Sequence, residues 1–168
     1  MKKIIILLFL IILIMMLCSN KNDYIIIPDN AIRFRIVANS NNIEDQRMKY
    51  RIKNDIIPLL EQITNNAYSY SDVSKKIEQV IPGIKKKIDS NNINYQINYG
   101  SNYFPEKVYN NIKYPAGNYE SLVITLGDGL GDNWWCVLFP PLCLIENKKD
   151  QITDYEYSLF IKDIINSL

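Results

Sequence analysis

Glu120, Asp128 and Asp132 are the residues whose types and spacing come nearest to an active site. Asp128 and Asp132 stand on a glycine-rich turn, Gly127-Asp128-Gly129-Leu130-Gly131-Asp132, with Glu120 a short way upstream. Paired carboxylates can serve as general acid and base on a glycosidic bond, so a small carboxylate-dependent cell-wall hydrolase is one reading. The other is that Asp and Gly simply make the turn. As a calcium loop the segment lacks the third acid and the terminal glutamate, and no lysine follows the glycines at phosphate-loop spacing. The 168 residues include no histidine and three cysteines. That removes Ser-His and Cys-His catalysis, histidine-ligated metals and a four-thiolate zinc site. The expectation is a binding protein with no catalytic residues, no metal and no cofactor.

Charge gives little. Lys plus Arg is 19 against 18 for Asp plus Glu, a net +1, which argues against nucleic acid as a partner. Two cations have a definite geometry: Arg33 and Arg35 alternate with Ile32, Phe34 and Ile36, so both project from one face of a strand. They suit either a clamp on a partner's carboxylate or ion pairs on an open sheet face.

The amino terminus sets the compartment. Lys2 and Lys3 precede an apolar run from Ile4 to Leu17. As a helix this run spans roughly 21 Å at about 1.5 Å per residue, short of the about 30 Å hydrocarbon core. Residues 1–19 are read as a signal peptide or short membrane anchor, handled by the export machinery; 20–30 as a stalk; and 31–168 as one exported domain. The membrane is touched through the N-terminal segment alone. Export leaves Cys136 and Cys143 as an even pair in an oxidising setting. A bridge between them closes a short loop, an effect of roughly 2–2.5 kcal/mol; two buried free thiols are the alternative.

The elements that must position these groups follow from periodicity. Residues 32–38 read as a strand, ended by Asn39-Ser40-Asn41-Asn42, with Asn41 and Glu44 as a capping pair. Met48, Ile52, Ile56, Leu59, Leu60 and Ile63 form a helical stripe with a kink at Pro58. Val73, Ile77, Val80, Ile81, Ile84 and Ile88 form a second stripe, capped by Ser69 or Ser71 and broken or bent at Pro82-Gly83. Strands follow at 95–99, ended by Gly100, near 107–110, and at 119–126, the last nearly continuous in apolar residues and hence central. Residues 152–167 read as a C-terminal helix. Strands clustered after a helical pair imply an α+β fold: a largely antiparallel sheet with the helices on one face.

The run Trp134 to Cys143 is read as a loop, because Pro140 and Pro141 forbid regular structure through its second half. Adjacent tryptophans in extended chain point opposite ways, so one of Trp134 and Trp135 is expected to be exposed as a contact residue. Packing of the whole run beneath the sheet is the competing expectation. The predicted partner-binding residues are Trp134, Trp135, Phe139, Pro140 and Pro141, with Arg33 and Arg35.

Several blocks together resemble the stage II sporulation protein R family of endospore-forming bacteria. They are Ile32-Arg33-Phe34-Arg35-Ile36-Val37-Ala38-Asn39-Ser40, Glu44-Asp45-Gln46, Tyr99-Gly100, Phe104-Pro105, Pro115-Ala116-Gly117 with Tyr119-Glu120, and Gly131 with Asn133 to Cys143. The resemblance spans about residues 31 to 144. It implies a signalling protein that is exported across the cytoplasmic membrane into the space between forespore and mother-cell membranes. There it triggers a membrane-embedded aspartic protease, which processes the precursor of a mother-cell sigma factor.

Overall fold

A computed structural model of the chain describes residues 24–65, 69–109 and 112–143. The expected export segment at 1–19 and the C-terminal helix expected at 152–167 lie outside the described residues. The elements in chain order are β1 (Ile25–Ile26), β2 (Ile32–Val37), α1 (Ile43–Asn65), α2 (Tyr70–Asp89), β3 (Tyr95–Phe104), β4 (Lys107–Tyr109), β5 (Ile112–Tyr114), β6 (Gly117–Leu126) and β7 (Asn133–Phe139). No helix among the described residues is long and apolar enough to cross a membrane.

The fold is α+β, in three layers. The central sheet has the order β3-β6-β2-β7. β6 pairs antiparallel with β3 and parallel with β2, and β2 pairs antiparallel with β7. Alternation along the strands divides the core. Ile32, Phe34, Ile36, Leu122, Ile124, Leu126, Cys136 and Leu138 join the apolar stripes of α1 and α2. The opposite face sends Tyr119, Val137 and Trp135 into a second cluster with Ile25, Ile27, Ile112 and Tyr114, carried largely by a small sheet of order β1-β5-β4. The arginine face of β2 is thus roofed rather than open. Residues 25 and 27, within the stretch read as a stalk, are buried in this layer.

Both helices run unbroken through their prolines. Pro58 and Pro82 are exposed, so the carbonyl that each leaves without an amide partner faces water, which keeps the cost low. The cap of α1 is Asn42, one residue later than expected: its Oδ1 accepts from the Asp45 amide at 2.8 Å. Asp45, not Glu44, is the reciprocal acid. Its carboxylate accepts from Ser40 Oγ (2.6 Å), Asn39 (2.8 Å) and Asn42 (3.0 Å), and these bonds, Ser40's first, hold it below the usual carboxylate range. Ser69 caps α2 by accepting from the Asp72 amide.

Two strands differ from expectation. β3 continues through Gly100 to Phe104, because Gly100 stays in register opposite Ser121. The run read as a loop from Trp134 begins with strand β7, which ends at Phe139, just before the prolines. After it the chain turns back, and a disulfide joins Cys136 to Cys143 with Cα atoms 5.3 Å apart.

The glycine-rich turn locks onto the β2–α1 connection. The Asp128 amide donates to Asn39 Oδ1 at 2.9 Å, the Asp132 amide to Asn41 Oδ1 at 2.6 Å, and Lys49 Nζ to the Asp132 carbonyl at 2.9 Å. Gly127 and Gly129 have φ of 54° and 66°, a region open to glycine. At Gly131 a Cβ would lie 2.3 Å from the Ser40 carbonyl oxygen. Gly131→Ala is therefore expected to lower stability by about 3 kcal/mol, roughly 6–12 °C in melting temperature, measured by circular dichroism. A change under a degree or two would show that the turn is loosely held.

Candidate functional site

The acids expected to act together are not brought together. Glu120 lies near the start of β6, whereas Asp128 and Asp132 lie beyond its end. Six residues of strand from Glu120 to Leu126 cover about 20 Å. Asp128 and Asp132 are exposed turn residues. Glu120 accepts hydrogen bonds from Tyr70 of α2 and Tyr99 of β3, tying the helical layer to the sheet. Burial pushes the Glu120 carboxyl up, but bonds from Ser74, Tyr70 and Tyr99 outweigh it, and the net shift is downward. Burial, then the bond to Glu120, raises Tyr70 to about 12 and moves Tyr99 upward too. A carboxylate held below its unfolded pKa stabilises the fold above that unfolded value and loses the contribution as pH falls through the folded value. Glu120→Gln should thus be less stable than wild type near about pH 7, with the gap closing toward about pH 3, as read by urea melts. A gap that is constant with pH would overturn this role. No three side chains of metal-ligand type converge among the described residues.

A different constellation forms around Arg33. Its side chain is only 1% exposed. Its guanidinium carbon lies 4.4 Å from the ring centre of Tyr119, 4.7 Å from Phe104, 5.2 Å from Trp135 and 5.6 Å from Tyr114. Aromatic faces attract the cation but cannot accept ordinary hydrogen bonds in number. Nε and Nη1 of Arg33, and Nε of half-buried Arg35, are buried without a hydrogen-bond partner. Among the described residues no carboxylate pairs with either arginine. Burial pulls both arginine pKa values down; at Arg33 Tyr119 and Tyr114 oppose it and the Arg35 charge adds a smaller downward push, though a guanidinium stays charged in a protein.

Both arginines line a cleft with Lys107, Asn133, Trp135 and the Phe104-Pro105 corner. The cleft measures about 260 Å³ and is partly open to solvent. Three cations and no acid line it. Glu106, next to Lys107, is engaged at 3.0 Å by Lys113.

The expected contact residues are distributed as follows. Trp134 and Trp135 are both half-buried, on opposite faces of β7. Of the two expectations, neither a fully exposed tryptophan nor a fully buried run is found, because each face of β7 has its own layer to receive one ring. Trp134 stacks edge-to-face on Phe34 at 5.9 Å, and Trp135 on Tyr114 at 4.7 Å. Phe139 and Pro140 are buried and Pro141 is half-buried. Arg33, Arg35 and Trp135 therefore come together, while Trp134 and Phe139 face the helices. Sequence reasoning missed Phe104, Tyr114, Tyr119, Lys107 and Asn133 as members of the site. A signal was present: Arg33 and Arg35, Phe104-Pro105, Tyr119, and Asn133 to Trp135 belong to four of the blocks that carried the family resemblance.

The comparisons with known proteins agree in direction. A family model described as stage II sporulation protein R matches residues 28–149. A curated relative named "Stage II sporulation protein R", from Bacillus subtilis (strain 168), is 38% identical over 133 residues, covering 76% of this chain. The match spans 59% of that relative's length. No solved structure matches the chain.

Proposed function

This chain belongs to the stage II sporulation protein R family, and from that premise we propose that it is a secreted intercellular signal of endospore formation. In this reading it is exported across the cytoplasmic membrane into the forespore intermembrane space. There it binds and activates a membrane-embedded aspartic protease, and the protease processes the precursor of a mother-cell sigma factor. The protein acts by contact, not by chemistry of its own.

The observation that supports this reading most is the convergence of three family-resemblance blocks on one cationic, aromatic cleft whose buried donors have no partner, with Tyr119 of a fourth packed against Arg33. Such donors cost free energy unless something meets them, and arginine with tryptophan and tyrosine is the composition of binding hot spots. The carboxylates Glu120, Asp128 and Asp132 are by contrast occupied in holding the fold or spread along the surface.

The test is reconstitution in a non-sporulating host. The full chain, the protease and the sigma-factor precursor are co-expressed, and precursor processing is scored by mobility shift. Processing is expected with all three components and not when this chain is omitted or lacks residues 1–19. Equal processing without the chain would contradict the proposal.

A further inference from the structure

We propose that the cleft between Arg33, Arg35 and Lys107 is a receptor for a carboxylate, supplied by an aspartate or glutamate side chain of the protein partner; the identity of the partner rests on the reading above. Arg33 is nine-tenths or more buried and lines the cleft, with Nε and Nη1 unmet. Arg35 adds a second unmet Nε from the same face of β2. A planar carboxylate has two oxygens and about four acceptor positions, and guanidinium groups match it in two-point geometry.

The charge balance points the same way. Two neighbouring arginines and a lysine with no acid among the lining residues repel one another, and one entering anion relieves that repulsion. Desolvation by four aromatic rings strengthens the attraction to a charge that does enter.

The surroundings fit a protein rather than a free anion. The strand that gives Lys107 to the cleft continues with Val108 and Tyr109, exposed at 49% and 46%, an apolar rim that follows the polar centre along β4. A free metabolite has no use for that rim, whereas a protein segment presenting an acidic residue among apolar ones covers it.

The experiment has two arms on the full exported chain. In the first, a Trp134→Phe background leaves Trp135 as the sole tryptophan, and its fluorescence is followed during titration with sodium acetate or sodium chloride at matched ionic strength. A saturable response to acetate alone is expected, lost in Arg35→Gln. In the second arm, Arg35→Gln is scored for precursor processing in the reconstituted host, with Lys86→Gln on the solvent face of α2 as a charge-matched control. Arg35 is half-buried, so the variant is expected to melt within a few degrees of wild type. Its processing is expected to fall roughly thirtyfold or more, with Lys86→Gln unaffected. Identical responses to acetate and chloride overturn the carboxylate site. A response to acetate with full processing by Arg35→Gln overturns the partner as its source. If the wild-type chain triggers no processing, the signalling reading falls and takes the partner with it, and the acetate arm alone decides the site.

Discussion

Arg33→Met is expected to leave the domain as stable as the wild type, or more so, and to silence it. Methionine fills much of the space between the four rings and brings no charge. The guanidinium gains from ring contacts at 4.4 to 5.6 Å, worth about 0.5–2 kcal/mol each at most. Against this stand two buried N–H groups without partners, each costing about 1–3 kcal/mol. Replacing buried ionic groups by apolar ones of similar volume is often neutral or stabilising by about 1–4 kcal/mol. Thermal melts should therefore show an unchanged or higher midpoint, while precursor processing drops by roughly thirtyfold or more. Arg33→Ala should behave differently, losing about 3 kcal/mol through the cavity it leaves. If Arg33→Met melts many degrees lower, the arginine serves the fold. If it is stable and still signals, the cleft is not the contact.

The neighbouring tryptophans should separate fold from signal. Trp134 packs with Phe34 on the helical face and lies under the Lys53 ammonium at 4.8 Å. Trp134→Ala is expected to cost about 3 kcal/mol and to leave the activity of each folded molecule intact. Trp135 forms one wall of the arginine cage and lines the cleft. Trp135→Ala should weaken partner binding by about 2 kcal/mol or more, roughly thirtyfold, beyond whatever it does to stability. Processing normalised to exported, folded protein distinguishes the two. Equal residual activity in both variants would show that the face of β7 does not matter.

The helices and the central strands were legible because each is long enough to show its period: 23 and 20 residues of stripe in the helices, and the six-residue alternation of β2. The opposition of Arg33 and Arg35 to Phe34 and Ile36 was equally plain. What covers the arginines was not. β1 has two residues, β4 and β5 three each, too few for any period to register. Without that layer the arginine face reads as open, and one tryptophan must then read as exposed. β7 was hidden by a boundary: Pro140 and Pro141 do exclude a strand, but only beyond Phe139. The Asn41 cap missed by one residue because four successive residues, 39 to 42, are all capping types. The cleft itself joins residues from β2, β3, β4 and β7, and nothing in a single strand's pattern announces such a meeting.

The decisive measurement is binding between the exported protein and the purified, detergent-solubilised protease. With the protease immobilised and the exported chain titrated as wild type, Trp135→Ala and Trp134→Ala, one saturable site is expected. Trp135→Ala should bind roughly thirtyfold more weakly, and Trp134→Ala within a few-fold of wild type once corrected for its folded fraction. No saturable binding by the wild type, or the same affinity for both variants, would contradict the cleft as the contact.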